Sequence, residues 1–272
     1  MQVKQLSVDS ALHSRSPRRL FGRQPLVIDF NTTSSSDNTS VVDKLRTLFA
    51  TTPLSILQRP LSLTNASLHG EFVDLSLDEF FDNPIYKNTS KGIDCIVLSS
   101  IKNRPDIIKQ LLPEQATLFL PQIEEIRLWI NFAHAFTGVH FDGGDNFNLQ
   151  LSGEKRFVFY PSGFRHYRKR SLFTGAGHTS MFTDFDKVDL KQYPDFVKRR
   201  QQRCEVTLKP GQMIYIPTGC WHQTYTDDAT SINLLVSCFN RAYLKHPYVL
   251  VDNLYKALLK KLGYKIIGIK KR

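Results

Sequence analysis

A chain of 272 residues, 41% hydrophobic and 11% aromatic, is long enough for one large domain with a full core. It holds no apolar run of eighteen residues, so no membrane span is expected, and its four scattered cysteines (Cys95, Cys204, Cys220, Cys238) exclude a disulfide framework and predict buried thiols in a reducing compartment. The net charge of +11 sits at the two ends: residues 1–23 carry five basic residues against Asp9, and residues 241–272 carry nine against Asp252, so the body between them is nearly neutral. Such ends suit nucleic acid, a membrane surface or an acidic protein as partner, or serve solubility alone.

Residues 1–24 read as a basic, irregular segment without the apolar centre of a secretory signal. That agrees with an intracellular, cytoplasmic or nuclear protein, and the Arg- and Ser-rich composition leaves a mitochondrial leader open. Leu26 to Phe30 is a first strand, followed by a polar loop to Ser40. Apolar residues at 41, 42, 45, 48 and 49 predict a helix from Val41 to Ala50. Phe72–Leu75 is a strand, and Ser76-Leu77-Asp78-Glu79 is a capping box that starts a short helix carrying Phe80 and Phe81. Cys95–Leu98 is a strand, and Pro105 opens a helix to about Leu112. This N-terminal third carries no catalytic motif.

From Ile126 the periodicity changes to two. Residues 127–132, 147–151 and 156–160 alternate, with Ser152-Gly153-Glu154 as a turn, and residues 206–208, 213–216 and 231–239 are further strands. Many short strands with Gly and Pro turns predict a mainly β jelly-roll with flanking helices. An irregular insert from about Phe164 to Arg203 holds the basic run Arg165–Arg170 and a short helix after Pro194. Residues 247–262 read as a helix with Leu250, Val251, Leu254, Leu258 and Leu262 on one stripe, either a homodimer seam or a face packed on its own barrel. The organisation is therefore a segment 1–24, a domain 25–240 with its core at about 115–240, and a C-terminal helix and basic tail, 241–272.

Inside the β region lies Phe136-Thr137-Gly138-Val139-His140-Phe141-Asp142, and 82 residues after His140 comes Trp221-His222. Residues i and i+2 of a strand share a side, so His140 and Asp142 can reach one metal while Phe141 faces away. Two imidazoles and a carboxylate are the ligand set of a facial non-haem Fe(II) site with open positions. A lone His-x-Asp is common, and it is the surrounding pattern that adds weight. Thr137 three before His140, Asn146 six after and Lys155 fifteen after, then Gly211-Gln212-Met213-Ile214-Tyr215-Ile216-Pro217 ahead of Trp221-His222, together resemble the JmjC and JmjC-like cupin oxygenases over about residues 115–240. Gln212 stands where that family usually has Asp, a departure at a turn and not at a ligand.

The resemblance implies a double-stranded β-helix barrel and an Fe(II)- and 2-oxoglutarate-dependent dioxygenase that hydroxylates a C–H bond. His140, Asp142 and His222 are the implied metal ligands and catalytic centre. Lys155 and Thr137 are the implied binders of the far carboxylate of 2-oxoglutarate, Asn146 an orienting group near the metal, and Trp129 a wall of the co-substrate pocket or plain core. Asn233, Leu235 and Ser237 share a face of the last strand, and which of them meets the pocket is open. Small relatives of this kind favour a protein or peptide side chain as substrate. A tRNA or other RNA nucleoside, bound through the basic ends, is the alternative, and a small metabolite is a third. A zinc or manganese cupin of another reaction class and a non-enzymatic binding module are the readings outside oxygenases. The former has no need of Thr137 and Lys155 at these offsets, and the intact triad speaks against the latter.

Overall fold

Alternation in this chain has an unusual polarity, and the fold follows from it. In the strand around Phe147 the apolar residues Phe147 and Leu149 interleave with Asn146, Asn148 and Gln150, and in the last strand Ile232, Leu234 and Val236 interleave with Asn233 and Ser237. A sheet made of such strands has one apolar and one polar face, and both must be covered. The computed structural model describes residues 3–12, 24–30, 38–50, 54–60, 71–84, 93–97, 99–101, 103–120, 123–132, 134–160, 180, 182, 184–227, 230–238 and 258.

The strands are β1 (Lys4–Ser7), β2 (Leu26–Asp29), β3 (Leu54–Pro60), β4 (Glu71–Leu75), β5 (Ile93–Val97), β6 (Ser99–Ser100), β7 (Ile123–Asn131), β8 (Phe136–His140), β9 (Asp145–Ser152), β10 (Lys155–Tyr160), β11 (Cys204–Leu208), β12 (Gln212–Ile216), β13 (Trp221–Tyr225) and β14 (Ser231–Cys238). They form a large sheet in the order β1-β2-β12-β9-β14-β7-β5-β3-β4, with β6 beside β7, and a four-stranded sheet in the order β11-β10-β13-β8. Strands consecutive in sequence sit in opposite sheets from β7 to β10, which is the winding of a double-stranded β-helix. The apolar face of the large sheet packs outward. Ile126, Leu128, Ile130, Phe147, Leu149, Ile232, Leu234 and Val236 join Leu45, Phe49, Phe80, Phe81, Ile107 and Phe119 from the N-terminal layer in one core.

That layer is built by α1 (Val8–Leu12), α2 (Asn38–Phe49), α3 (Leu77–Asp82), α4 (Pro105–Leu111) and α5 (Glu114–Thr117). Helix α3 has the expected box: the Ser76 hydroxyl accepts from Glu79 N, and the Glu79 carboxylate accepts from Ser76 N at 2.8 Å. It buries Phe80, which stacks on Phe132 with ring centroids 5.0 Å apart. Arg46 ties α2 to α3 through ion pairs with Asp78 and Asp82. Helix α6 (Asp195–Arg200) follows Pro194 as expected.

The outer face of the small sheet is covered by a second cluster, with Val139, Phe141, Val158, Tyr160 and Trp221 against Phe185 and Phe196. Between the sheets, Val27, Phe157, Phe159, Leu208, Ile214 and Ile216 fill one side of the barrel with apolar side chains, leaving the rest to polar ones. Cys204, Cys220 and Cys238 are free thiols.

Two expectations need correction. The N-terminal segment is not irregular throughout: β1 pairs in parallel with β2, Lys4 against Leu26 to Ser7 against Asp29, and α1 buries Val8 and Ala11. The arginines of the segment begin at Arg15, while residues 3–12 carry only Lys4 and Asp9, and the edge of the buried strand β2 offers them backbone partners. The loop expected to Ser40 also ends earlier, at the start of α2. Residues 13–23, the Arg165–Arg170 run and the 247–262 stripe lie outside the described residues, except that Leu258 is helical and exposed.

Candidate metal centre

β8 and β13 are neighbours in the small sheet, and their register places His140 directly opposite His222. The imidazole centroids are 4.3 Å apart. Asp142, just past the end of β8, brings Oδ1 to 3.9 Å from His140 Nε2 and Oδ2 to 3.6 Å from His222 Nε2. One ligand atom from each of the three lies within 4.8 Å of the others. Strand alternation sends the residues between them outward: Phe141 and Trp221 meet edge to face at 4.8 Å on the far side of the sheet.

The rings are held in one tautomer. His140 Nδ1 lies 2.8 Å from the Gly138 carbonyl and His222 Nδ1 2.9 Å from the Cys220 carbonyl. A carbonyl only accepts, so each Nδ1 carries a proton, which leaves Nε2, turned toward Asp142, as the atom that can bind a metal. Burial, with His140 beside it, depresses the His222 pKa to about 4, while Asp142 pulls it the other way. Burial wins, so His222 stays neutral and ready to donate electrons. Two imidazoles with locked Nδ1–H groups and one carboxylate fit a divalent transition metal by donor chemistry.

The two ligand-bearing loops are stapled together. Gly219 N donates to the Asp142 carbonyl at 3.0 Å. The buried Asp145 carboxylate accepts from Thr218 N, Thr218 Oγ1 and Tyr215 Oη at 2.9, 2.8 and 3.1 Å. Gly219 has φ 75°, a left-handed turn that glycine adopts without strain.

Thr137 explains itself only through a defect. It is three residues before His140, and a regular strand would put the two on opposite faces. The β8–β13 register slips: two steps from His222 to Thr224 match three from His140 to Thr137. This bulge turns Thr137 to the same face as His140. Lys155 begins β10 on the inner face and is 5% exposed. Its Nζ donates to Asn131 Oδ1 and Asn233 Oδ1, both at 3.1 Å, and lies 5.3 Å from the Trp129 ring centroid. Asn146 accepts from Ser237 Oγ at 2.6 Å. The open choice on β14 thus resolves by level: Asn233 meets Lys155, Leu235 is half-buried, and Ser237 meets Asn146.

A family model described as "Cupin-like domain" matches residues 23–242. The chain belongs to the cupin-like domain family. Its relatives include HSPB1-associated protein 1 of Homo sapiens, 32% identical over 114 residues, which is 41% of this chain and 23% of that protein. The Homo sapiens bifunctional peptidase and (3S)-lysyl hydroxylase JMJD7 is 28% identical over 191 residues, 59% of this chain and 58% of that one. The Danio rerio tRNA wybutosine-synthesizing protein 5 is 31% identical over 131 residues, 45% of this chain and 38% of that one. The chain therefore spans from about a quarter to under two thirds of the length of these relatives. JmjC-like cupins of this kind are Fe(II)- and 2-oxoglutarate-dependent oxygenases as a family.

Within this cupin-like barrel, motif reasoning passed over Asn131, Asn148, Gln150, Thr224 and Asp145. Asn131, Asn148 and Gln150 carry a readable signal, as polar residues at alternate positions with apolar neighbours, whereas Thr224 lies in the polar run His222-Gln223-Thr224. Asp145 had none, because its three donors come from residues 70 and 73 positions away. Gln212 caps a turn. Its Oε1 accepts from Lys209 N at 3.0 Å, and its Nε2 donates to Asp29 at 2.9 Å.

Proposed function

We propose that this protein is an Fe(II)- and 2-oxoglutarate-dependent dioxygenase that hydroxylates a C–H bond of a protein or peptide side chain. The observation that carries this reading is the convergence of His140, Asp142 and His222 on the same barrel interior that holds the buried cation Lys155. His140 Nε2, His222 Nε2 and the Asp142 carboxylate would hold the iron, and Lys155 with Thr137 the far carboxylate of 2-oxoglutarate. Iron bound there would supply the activation of dioxygen, one atom of which would enter succinate as 2-oxoglutarate loses carbon dioxide and the other the substrate C–H bond.

The chain's own contribution is to bind, orient and exclude water. The Gly138 and Cys220 carbonyls fix the ring orientations. Asn146, which accepts from Ser237, would orient a carboxylate or water beside the metal. The apolar packing of Phe157, Phe159, Ile214 and Ile216 keeps that part of the interior dry.

Protein or peptide is preferred as substrate because one relative is named a lysyl hydroxylase. An RNA nucleoside is the second reading, favoured by the relative named for tRNA wybutosine synthesis and by the basic ends of this chain. An intracellular, cytoplasmic or nuclear site of action belongs to the same proposal, as does pairing through residues 247–262. Succinate release from 2-oxoglutarate, iron and oxygen by the wild type, lost in His140→Ala, tests the chemistry. Mass spectrometry of proteins retained by His140→Ala identifies the substrate. A wild type that binds iron but never consumes 2-oxoglutarate overturns the reading.

A further inference from the structure

Beyond the metal ligands, the motif lysine is surrounded by amide side chains that the family motif does not include. Lys155 Nζ donates to Asn131 Oδ1 and Asn233 Oδ1. An ammonium has no acceptor, so both amides are fixed with oxygen toward the lysine and NH2 away from it. Asn233 spends its NH2 on Asn148 Oδ1 at 3.0 Å. Asn131, the last residue of β7 and 2% exposed, makes no side-chain hydrogen bond to a described residue besides the one to Lys155. Two residues back on the same face, Trp129 Nε1 is buried and lacks an acceptor among the described residues, and its ring lies 5.3 Å from Lys155 Nζ.

Buried N–H groups are costly to leave unpaired, and native interiors rarely do so. Here Trp129 Nε1 is such a group, and the Asn131 NH2, bonded to no described residue, stands with it beside a buried ammonium. An anion answers all three: a carboxylate has about four lone-pair sites and bonds well to several donors at once. A lysine alone attracts charge without reading shape, whereas a planar amide held rigidly at its oxygen adds direction.

We infer that Asn131 is a specificity-determining residue for the co-substrate. Its NH2, with Trp129 Nε1 and Lys155 Nζ, grips the far carboxylate of the keto acid and so selects a dicarboxylate over a monocarboxylate. The inference rests on the oxygenase reading, because the guest it describes is the keto acid of that reaction. Lys155 supplies the charge, and Asn131 and Trp129 supply the geometry.

The test is calorimetric titration of the Mn(II)-loaded full chain with 2-oxoglutarate and with pyruvate, which lacks the far carboxylate. Asn131→Ala should weaken 2-oxoglutarate roughly ten-fold and leave pyruvate within about two-fold, the loss expected for one hydrogen bond to a charged group. Asn131→Asp, which sets a carboxylate against Lys155 in place of the guest's own, should weaken 2-oxoglutarate by about 100-fold or more. Trp129→Phe keeps the ring packing, removes the N–H and should weaken 2-oxoglutarate about three- to ten-fold. It reads the same site where an Asn131 variant does not fold. Unchanged 2-oxoglutarate affinity in Asn131→Ala or Trp129→Phe overturns the inference while the oxygenase reading stands. Equal losses for pyruvate and 2-oxoglutarate also overturn it, since they mark general damage to the pocket. A wild type that binds neither acid overturns the oxygenase reading, and the inference with it.

Discussion

Two side chains in this barrel, Lys155 and His222, are poised by burial in ways that solution experiments can read. Lys155 is an ammonium withdrawn from water and held by two amide oxygens. Losing such a charged donor to a buried carboxylate costs about 2–3 kcal/mol. Lys155→Ala should therefore raise the 2-oxoglutarate dissociation constant by roughly 30–150-fold, and calorimetry that finds no change removes Lys155 from the site. His222 offers a pH test. Its folded pKa of about 4 lies below the ordinary 6.5, so the unfolded chain binds more protons between those values. The metal-free protein should keep this contribution to stability above about pH 6.5 and lose it as pH falls toward 4. Chemical denaturation across that range, compared with His222→Gln, isolates the effect; parallel pH profiles for the two proteins would contradict it. The triad itself predicts that replacing His140, Asp142 and His222 together by Ala abolishes stoichiometric iron binding by a folded protein, with metal analysis as the readout.

At the level of elements, what matters is how turns hold strands in register. The β9–β10 turn contains Gly153 at φ 64°, where an added Cβ would meet the Thr230 carbonyl oxygen at 2.1 Å. Gln150 Nε2 donates to the Gly153 carbonyl from beneath, at 3.1 Å. Lys155 begins the next strand two residues later, so this turn fixes where the lysine enters the barrel. Gly153→Ala should destabilise the fold by about 2–3 kcal/mol and weaken co-substrate binding together, as seen in thermal melts and calorimetry. Stability loss with native affinity would show that the turn does not position Lys155. The β8 bulge is the other such device. It adds one residue to the strand and thereby makes Thr137 and His140 neighbours on one face.

At the level of the whole molecule, the charge distribution separates the two substrate readings. Residues 1–23 sum to +4 and residues 241–272 to +8, so the stretch between them is nearly neutral. If these ends engage RNA, binding releases counterions, and about four to six phosphate contacts give a log–log salt slope of about −3 to −4. Deleting residues 265–272 should flatten that slope and leave turnover of 2-oxoglutarate intact, because the triad lies elsewhere. A filter-binding series with tRNA decides it: tight, salt-steep binding turns the preference to RNA, and absence of binding at low salt eliminates RNA. Among the described residues no helix is long and apolar enough to cross a membrane.

The sequence by itself determined what depends on local periodicity and on motif spacing. The α3 capping box, Pro105 at the start of α4, the alternating strands from β7 onward and the His-x-Asp pair are all set by residues within a few positions of one another. The cupin-like family was readable because its spaced residues recur along the chain at fixed offsets. The tertiary structure alone decided which polar residues meet. Asn131 and Asn233 are 24 and 78 positions from Lys155 yet hold the same ammonium, and Asp145 receives its donors from Tyr215 and Thr218, 70 and 73 positions away. Nothing local encodes such pairings, since they come from strand order and register in two sheets wound over each other. The same holds for β1, a short segment made into a strand by the edge of β2, and for Thr137, whose face is set by a bulge that exists only in the pairing of β8 with β13.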